Sequence, residues 1–114
     1  VLVVNDEDVL CIVLDQFFSR YGNKVKTVNN GAGAIDIVNA EDFDLVLCDL
    51  AMSDISGYDV IEAINKLEKR PKIGIITGWG EKLKPMEEGM DVDFIVKKPF
   101  NFSELREQIN GLKF

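Results

Sequence analysis

Residues 43–61 read FDLVLCDLAMSDISGYDVI, and the first part of that stretch decides the fold. Leu45, Val46, Leu47 and Cys48 are apolar without alternation, and the run stops abruptly on Asp49. A segment that is apolar on both faces suits a strand buried in a parallel sheet, covered above and below. A loop from Leu50 to Ser56 leads to Gly57 and a helical pattern carrying Val60, Ile61, Ile64 and Leu67. Pro71 marks the exit, since proline cannot continue a helix.

The same punctuation repeats in both directions. Upstream, the apolar run Val1–Val4 ends on Asn5, Asp6, Glu7 and Asp8. Val9, Leu10, Val13, Leu14, Phe17 and Phe18 then form the stripe of an amphipathic helix, which Gly22 stops. Val25–Val28 is a short strand candidate, and Asn30 and Gly31 open a helix that buries Ala34, Ile35 and Val38. Downstream, Ile73–Ile76 reads as a buried strand ending in Thr77. Glu81–Gly89 is a weak helix interrupted by Pro85, and Phe94–Val96 is the last strand, followed by Lys97, Lys98, Pro99 and Phe100. Asn101 with Glu104 resembles a capping box, opening a final helix lined by Leu105, Ile109 and Leu112. Five strands alternating with five helices predict an α/β fold: a single parallel sheet with right-handed crossovers and helices on both faces, one domain over residues 1–114.

Composition narrows the function. At 114 residues and 46% hydrophobic the chain fills one core. A net charge of -7 repels phosphate backbones, which argues against direct nucleic-acid binding. No apolar stretch approaches the ~20 residues that span a membrane, and no signal peptide is seen, so the cytoplasm is the expected location. The opening Val1 in place of Met implies trimming. Cys11 and Cys48 lie far apart in no metal-ligand spacing and read as reduced core thiols. There are 0 His residues, which removes Ser-His-Asp and Cys-His nucleophiles, His-ligated zinc and any phosphohistidine within this chain.

In open parallel sheets, sites form beyond the carboxyl ends of the strands. Here those ends carry Asn5, Asp6 and Glu7 on the first strand, Asp49 on the third, Thr77 on the fourth, and Lys97 and Lys98 on the fifth. Carboxylates gathered at one rim repel one another, and a divalent hard cation with oxygen ligands and water resolves that repulsion, which favours Mg²⁺. Mg²⁺ and a lysine would together offset the charge of a phosphoryl group approaching a carboxylate nucleophile, with Thr77 donating to a phosphoryl oxygen.

At this point the sequence resembles the receiver domains of bacterial response regulators, in two-component signal transduction. The matching stretches are VLVVNDED, FDLVLCDLAMSDISGYDVI, IGIITGWG and VDFIVKKPF, in order and across essentially the whole chain. The resemblance implies a flavodoxin-like strand order 2-1-3-4-5. It makes Asp49 the phospho-acceptor and Asp6, Asp49 and the backbone carbonyl of Ala51 the Mg²⁺ ligands. Thr77 and Lys98 become the phosphate-binding switch pair, with a cis peptide bond before Pro99 aiming the lysine. It further implies a partner histidine kinase or phosphotransfer protein as donor. The output face is made by the fourth helix, fifth strand and fifth helix, where an output domain or a second copy would dock. Receivers of this kind are switches rather than enzymes, beyond their own Mg²⁺-dependent phosphorylation and dephosphorylation.

Three departures from the family pattern stand out. Asn5 occupies the place of the first aspartate, weakening the acidic pocket unless Glu7 compensates. Ser53 replaces a proline in the phosphorylation loop. The aromatic switch position, three before Lys98, holds Ile95; Phe94 would take that role only if Lys97 were the phosphate lysine, and the Lys98-Pro99 turn favours Lys98. Asp6 also reads as a cap of the first helix, and Glu7, Asp8, Asp54, Asp59 and Lys97 as surface charges. Trp79, the single Trp, lies two residues after Thr77, and the resemblance gives it and Ala51 influence over phosphate lifetime. The rival readings are a receiver-fold interaction module that works without phosphorylation, an aspartate-nucleophile phosphatase and a nucleotide- or flavin-binding module. The phosphatase lacks its Asp-x-Asp, since Asn5 and Glu7 stand there, and the nucleotide module lacks a Gly-rich loop after the first strand.

Overall fold

A computed structural model describes residues 1–50, 57–77, 92–98 and 101–112. Strands β1 (Leu2–Val4), β2 (Lys26–Val28), β3 (Leu45–Asp49), β4 (Lys72–Thr77) and β5 (Phe94–Lys97) pair in parallel in the order β2-β1-β3-β4-β5. Helices α1 (Asp8–Arg20), α2 (Gly31–Ala40), α3 (Gly57–Asn65) and α4 (Phe102–Asn110) cover it. The expected order 2-1-3-4-5 is therefore the observed one. The weak helix expected over Glu81–Gly89 lies outside the described residues, as do Ala51, Ser53, Asp54, Trp79 and Pro99.

Strand alternation sorts the core into two layers. Leu2, Val4, Val46, Cys48, Ile73 and Ile75 face Ala34 and Val38 of α2 and Val60, Ile61 and Ile64 of α3. Val3, Leu45, Leu47, Ile76, Phe94 and Val96 face Cys11, Leu14 and Phe18 of α1 and Leu105 of α4. Every residue of β3 is buried, which is why its sequence shows no period of two. The edge strand β2 is the opposite case, with Lys26 and Thr27 exposed and only Val28 half-buried.

The helix starts follow from their caps. Asn30 accepts from the Gly33 N–H at 2.6 Å, and Asn101 accepts from the Glu104 N–H at 2.8 Å while its own amide reaches the Glu104 carboxylate at 3.3 Å. The first helix corrects one expectation: its N-cap is Glu7, not Asp6, and the Glu7 side chain makes no capping bond. Both cysteines are buried and free, and burial raises each thiol above its ordinary range, so neither offers a thiolate at neutral pH. Among the described residues, no helix is long and apolar enough to cross a membrane.

One cross-strand pair fixes β4 against β5. Gly74 lies opposite Phe94, and a Cβ built on Gly74 would run into the Cζ, Cε1 and Cε2 atoms of that ring. Phe94 thus fills space that glycine leaves open beneath α1 and α4. Gly74→Val is expected to lower unfolding stability by about 1–3 kcal/mol through overpacking, read as a reduced denaturation midpoint. An unchanged midpoint would show that the ring has somewhere else to go.

Candidate functional site

The carboxyl rim gathers the polar strand ends. Asn5 and Asp49 each stand one residue past the last β1–β3 pair, Val4 with Cys48, so they are neighbours across the two central strands. By alternation Asn5 continues the row of Val3, Asp49 that of Leu45 and Leu47, and Lys98 that of Phe94 and Val96, all on the α1 and α4 side. Burial is nearly complete: Asn5 is 0%, Asp49 1% and Thr77 1% exposed. Polar groups are left in such places only when they are paired or used.

Asp49 is paired. The Lys98 Nζ donates to its Oδ2 at 2.9 Å and to Glu7 Oε1 at 3.0 Å. Lys98 is placed by its backbone, whose N–H donates to the Thr77 carbonyl at 2.8 Å, locking the end of β5 onto the end of β4. Lys97, opposite Thr77 in the ladder, is exposed. So Lys98, and not Lys97, is the lysine on Asp49, and the Phe94 ring lies against Gly74. Ile95 is half-buried against the other core layer.

Burial pulls the Lys98 pKa down, but hydrogen bonds and charge from Asp49 and Glu7 outweigh it and leave the group raised above 10.5. A raised folded-state pKa means that the lysine's share of this contact is present at all pH values below its ordinary 10.5 and is given up as pH climbs beyond that. The ammonium is therefore intact across the physiological range.

Glu7 has a partner that the sequence reading does not name. The sequence places it among solvated surface acids, or as the acid that makes good the missing charge at position 5. Its side chain is 59% exposed, yet it is committed to Lys98 rather than to the carboxylates. Among the described residues no three acidic or thiol side chains come together as a metal cage. Asp6 is half-buried at the same rim, directly after Asn5. The Asn5 Oδ1 accepts from the Glu7 N–H at 2.8 Å, while its Nδ2 is buried without a partner among the described residues, so position 5 supplies a neutral amide rather than an acid. Mg²⁺ asks for oxygen donors and keeps several waters, so it can be held by as few as one or two carboxylates. Asp6 and Asp49 fit that demand; Ala51 lies outside the described residues.

Comparison with known proteins gives the arrangement a lineage. The family model described as response regulator receiver domain matches residues 1–110. Sporulation initiation phosphotransferase F of Bacillus subtilis is 28% identical over 111 residues, covering 96% of this chain and 89% of that protein. The transcriptional regulatory protein CusR of Escherichia coli is 29% identical over 97% of this chain, which spans only 49% of CusR. Among solved structures, response regulator protein TrrA from Thermotoga maritima, in complex with Mg²⁺-BeF, is 32% identical with a TM-score of 0.84, covering 96% of this chain and 94% of that one. With a family match across nearly its whole length and the strand order the family shares, this chain belongs to the response regulator receiver domains.

Proposed function

We propose that the chain is a phospho-acceptor switch in which Asp49 takes a phosphoryl group from a histidine of a partner kinase or phosphotransfer protein. The observation that carries this reading is the 2.9 Å contact between the Lys98 ammonium and a carboxylate that is 1% exposed. A buried nucleophile at a strand tip with a cation already on it is what phosphoryl transfer needs, since that chemistry rests on positioning and charge neutralisation. An Asp49 oxygen forms the O–P bond as the P–N bond of the partner's phosphohistidine breaks, and the imidazole leaves with the bonding pair. Asp6 and Asp49, with the carbonyl of Ala51, would hold Mg²⁺, which neutralises charge on the phosphoryl oxygens when bound. Lys98 then follows the new anion and Thr77 donates its hydroxyl to it. The strain passes into the ends of β4 and β5, which the Lys98 N–H to Thr77 carbonyl bond joins. An output domain or a second copy would read the change at β5, α4 and the segment 81–89.

Intact-mass measurement with Mg²⁺ and a small phosphodonor tests the reading. One phosphoryl group should be added, and peptide mapping should place it on Asp49. No uptake from the small donor or from a phosphorylated histidine protein would turn the reading over to its rival, a receiver-fold module that binds partners without phosphorylation. Asn5 favours that rival, because its unpartnered amide sits where a further acid would draw the metal in. Asn5→Asp is accordingly expected to tighten Mg²⁺ binding by roughly tenfold, since one added charge at close range in a buried site is worth a few kcal/mol before desolvation is subtracted. Quenching of the single Trp, Trp79, on Mg²⁺ titration would measure it. Equal affinities in the two chains would show that residue 5 does not face the ion.

A further inference from the structure

The geometry points to Glu7 as a positioning residue that restrains the Lys98 ammonium in the resting state and competes with the incoming phosphoryl group for it. The inference rests on the receiver reading for its consequence, and on the structure alone for the contact.

Asn5 and Glu7 divide two tasks. Glu7 occupies the N-cap of α1, where a side chain ordinarily turns back onto the helix N–H groups, yet it makes no such bond. Instead the Asn5 carboxamide oxygen takes the Glu7 N–H at 2.8 Å, and the Asn5 carbonyl takes the Cys11 thiol at 3.2 Å. The Glu7 carbonyl accepts the first helical bond, from the Cys11 N–H at 3.1 Å. The backbone of Glu7 is thereby fixed from both sides and its side chain is released to reach across the rim. There it meets Lys98 Nζ at 3.0 Å, on the side of the ammonium not taken by Asp49. A lysine has three donors on a flexible stem, and two of them are now claimed by carboxylates from different strand ends.

Once Asp49 carries a phosphoryl group, its own charge is spent in the new O–P bond and Lys98 must turn to the phosphoryl oxygens. Glu7 keeps its charge and its place, so it remains as a competitor. An acid at this position therefore biases the switch towards rest.

Three chains decide the matter: the parent, Glu7→Gln and Asp8→Asn. Asp8 is an exposed acid one residue further on, so its variant makes the same change in net charge without touching Lys98. At saturating Mg²⁺, Glu7→Gln should bind beryllofluoride about two- to fivefold more tightly than the parent, the range that a partly exposed ion pair is worth, and Asp8→Asn should change by less than about twofold. Without any phosphoryl mimic, acylation of Lys98 by an amine-reactive reagent, followed by mass spectrometry, should rise in Glu7→Gln and not in Asp8→Asn. Matching acylation in the two variants would overturn the contact. A parent that binds beryllofluoride and a Glu7→Gln chain that binds it no better would overturn the competition. If Lys98 acylation responds to Glu7→Gln while no chain responds to beryllofluoride, the restraint stands and the receiver reading is what fails.

Discussion

Asp49→Asn is expected to abolish phosphoryl uptake and to leave the fold in place. The amide has the shape of the carboxylate but no lone pair of comparable nucleophilicity, and the chain has 0 His residues to serve as another acceptor at the site. The substitution is mild for the fold. The oxygen of the new carboxamide still accepts from Lys98, and Lys98 keeps Glu7 as its counter-ion. Asp49 sits at the end of β3 with its ladder bonds on the backbone, where Leu50 N–H donates to the Ile76 carbonyl at 3.1 Å. The expected change in unfolding stability is under about 1 kcal/mol, a shift of only a few degrees in midpoint for a domain of this size. Mass spectrometry after treatment with Mg²⁺ and phosphodonor should show no added phosphoryl group in the variant, alongside near-complete addition in the parent. Phosphorylation persisting in a folded Asp49→Asn chain would place the acceptor elsewhere and dismantle the site.

How far the sequence leads depends on what each residue's role consists of. Leu45–Asp49 is readable as a central strand because burial on both faces leaves an unbroken apolar run of strand length that stops abruptly on an acid. Lys26–Val28 is barely readable, since an exposed edge strand is held by backbone pairing that leaves little mark on side chains. Asp49, Thr77 and Lys98 are legible as strand-end residues once the sheet is assumed, because parallel strands bring all their carboxyl ends to one rim. The choice between Lys97 and Lys98 is harder. It depends on strand alternation carried one residue past the ladder, and it resolves only with Lys98 Nζ on Asp49. Glu7 is legible as an acid at the rim, but nothing in the sequence pairs it with Lys98. It is separated from Lys98 by 91 residues, and its side chain meets Nζ across the rim while its N–H is held by the Asn5 Oδ1. Gly74 is silent for the same reason: the ring that needs its missing Cβ belongs to another strand.

Lys98→Met should reduce affinity for beryllofluoride by about ten- to a hundredfold, the worth of a hydrogen bond to a charged group in a partly buried site. Methionine keeps the unbranched stem that packs at the end of β5, so the loss reports the ammonium rather than a cavity. The side chain of Lys98 is 27% exposed against 1% for Asp49, which keeps solvent from replacing the lost charge on the carboxylate side. Phosphoryl uptake at Asp49 should persist in this variant, more slowly, because the nucleophile is intact. What should disappear is the response, since no Lys98 ammonium remains to draw the end of β5 towards the new anion. Lys97→Met supplies the control. Lys97 is exposed, neighbours Thr77 in the ladder and points along the opposite row, so its removal should shift affinity by less than about twofold. Equal losses in the two variants would mean that the rim acts through its summed charge. A loss confined to Lys98→Met means that one ammonium, held between two acids, is the part that moves.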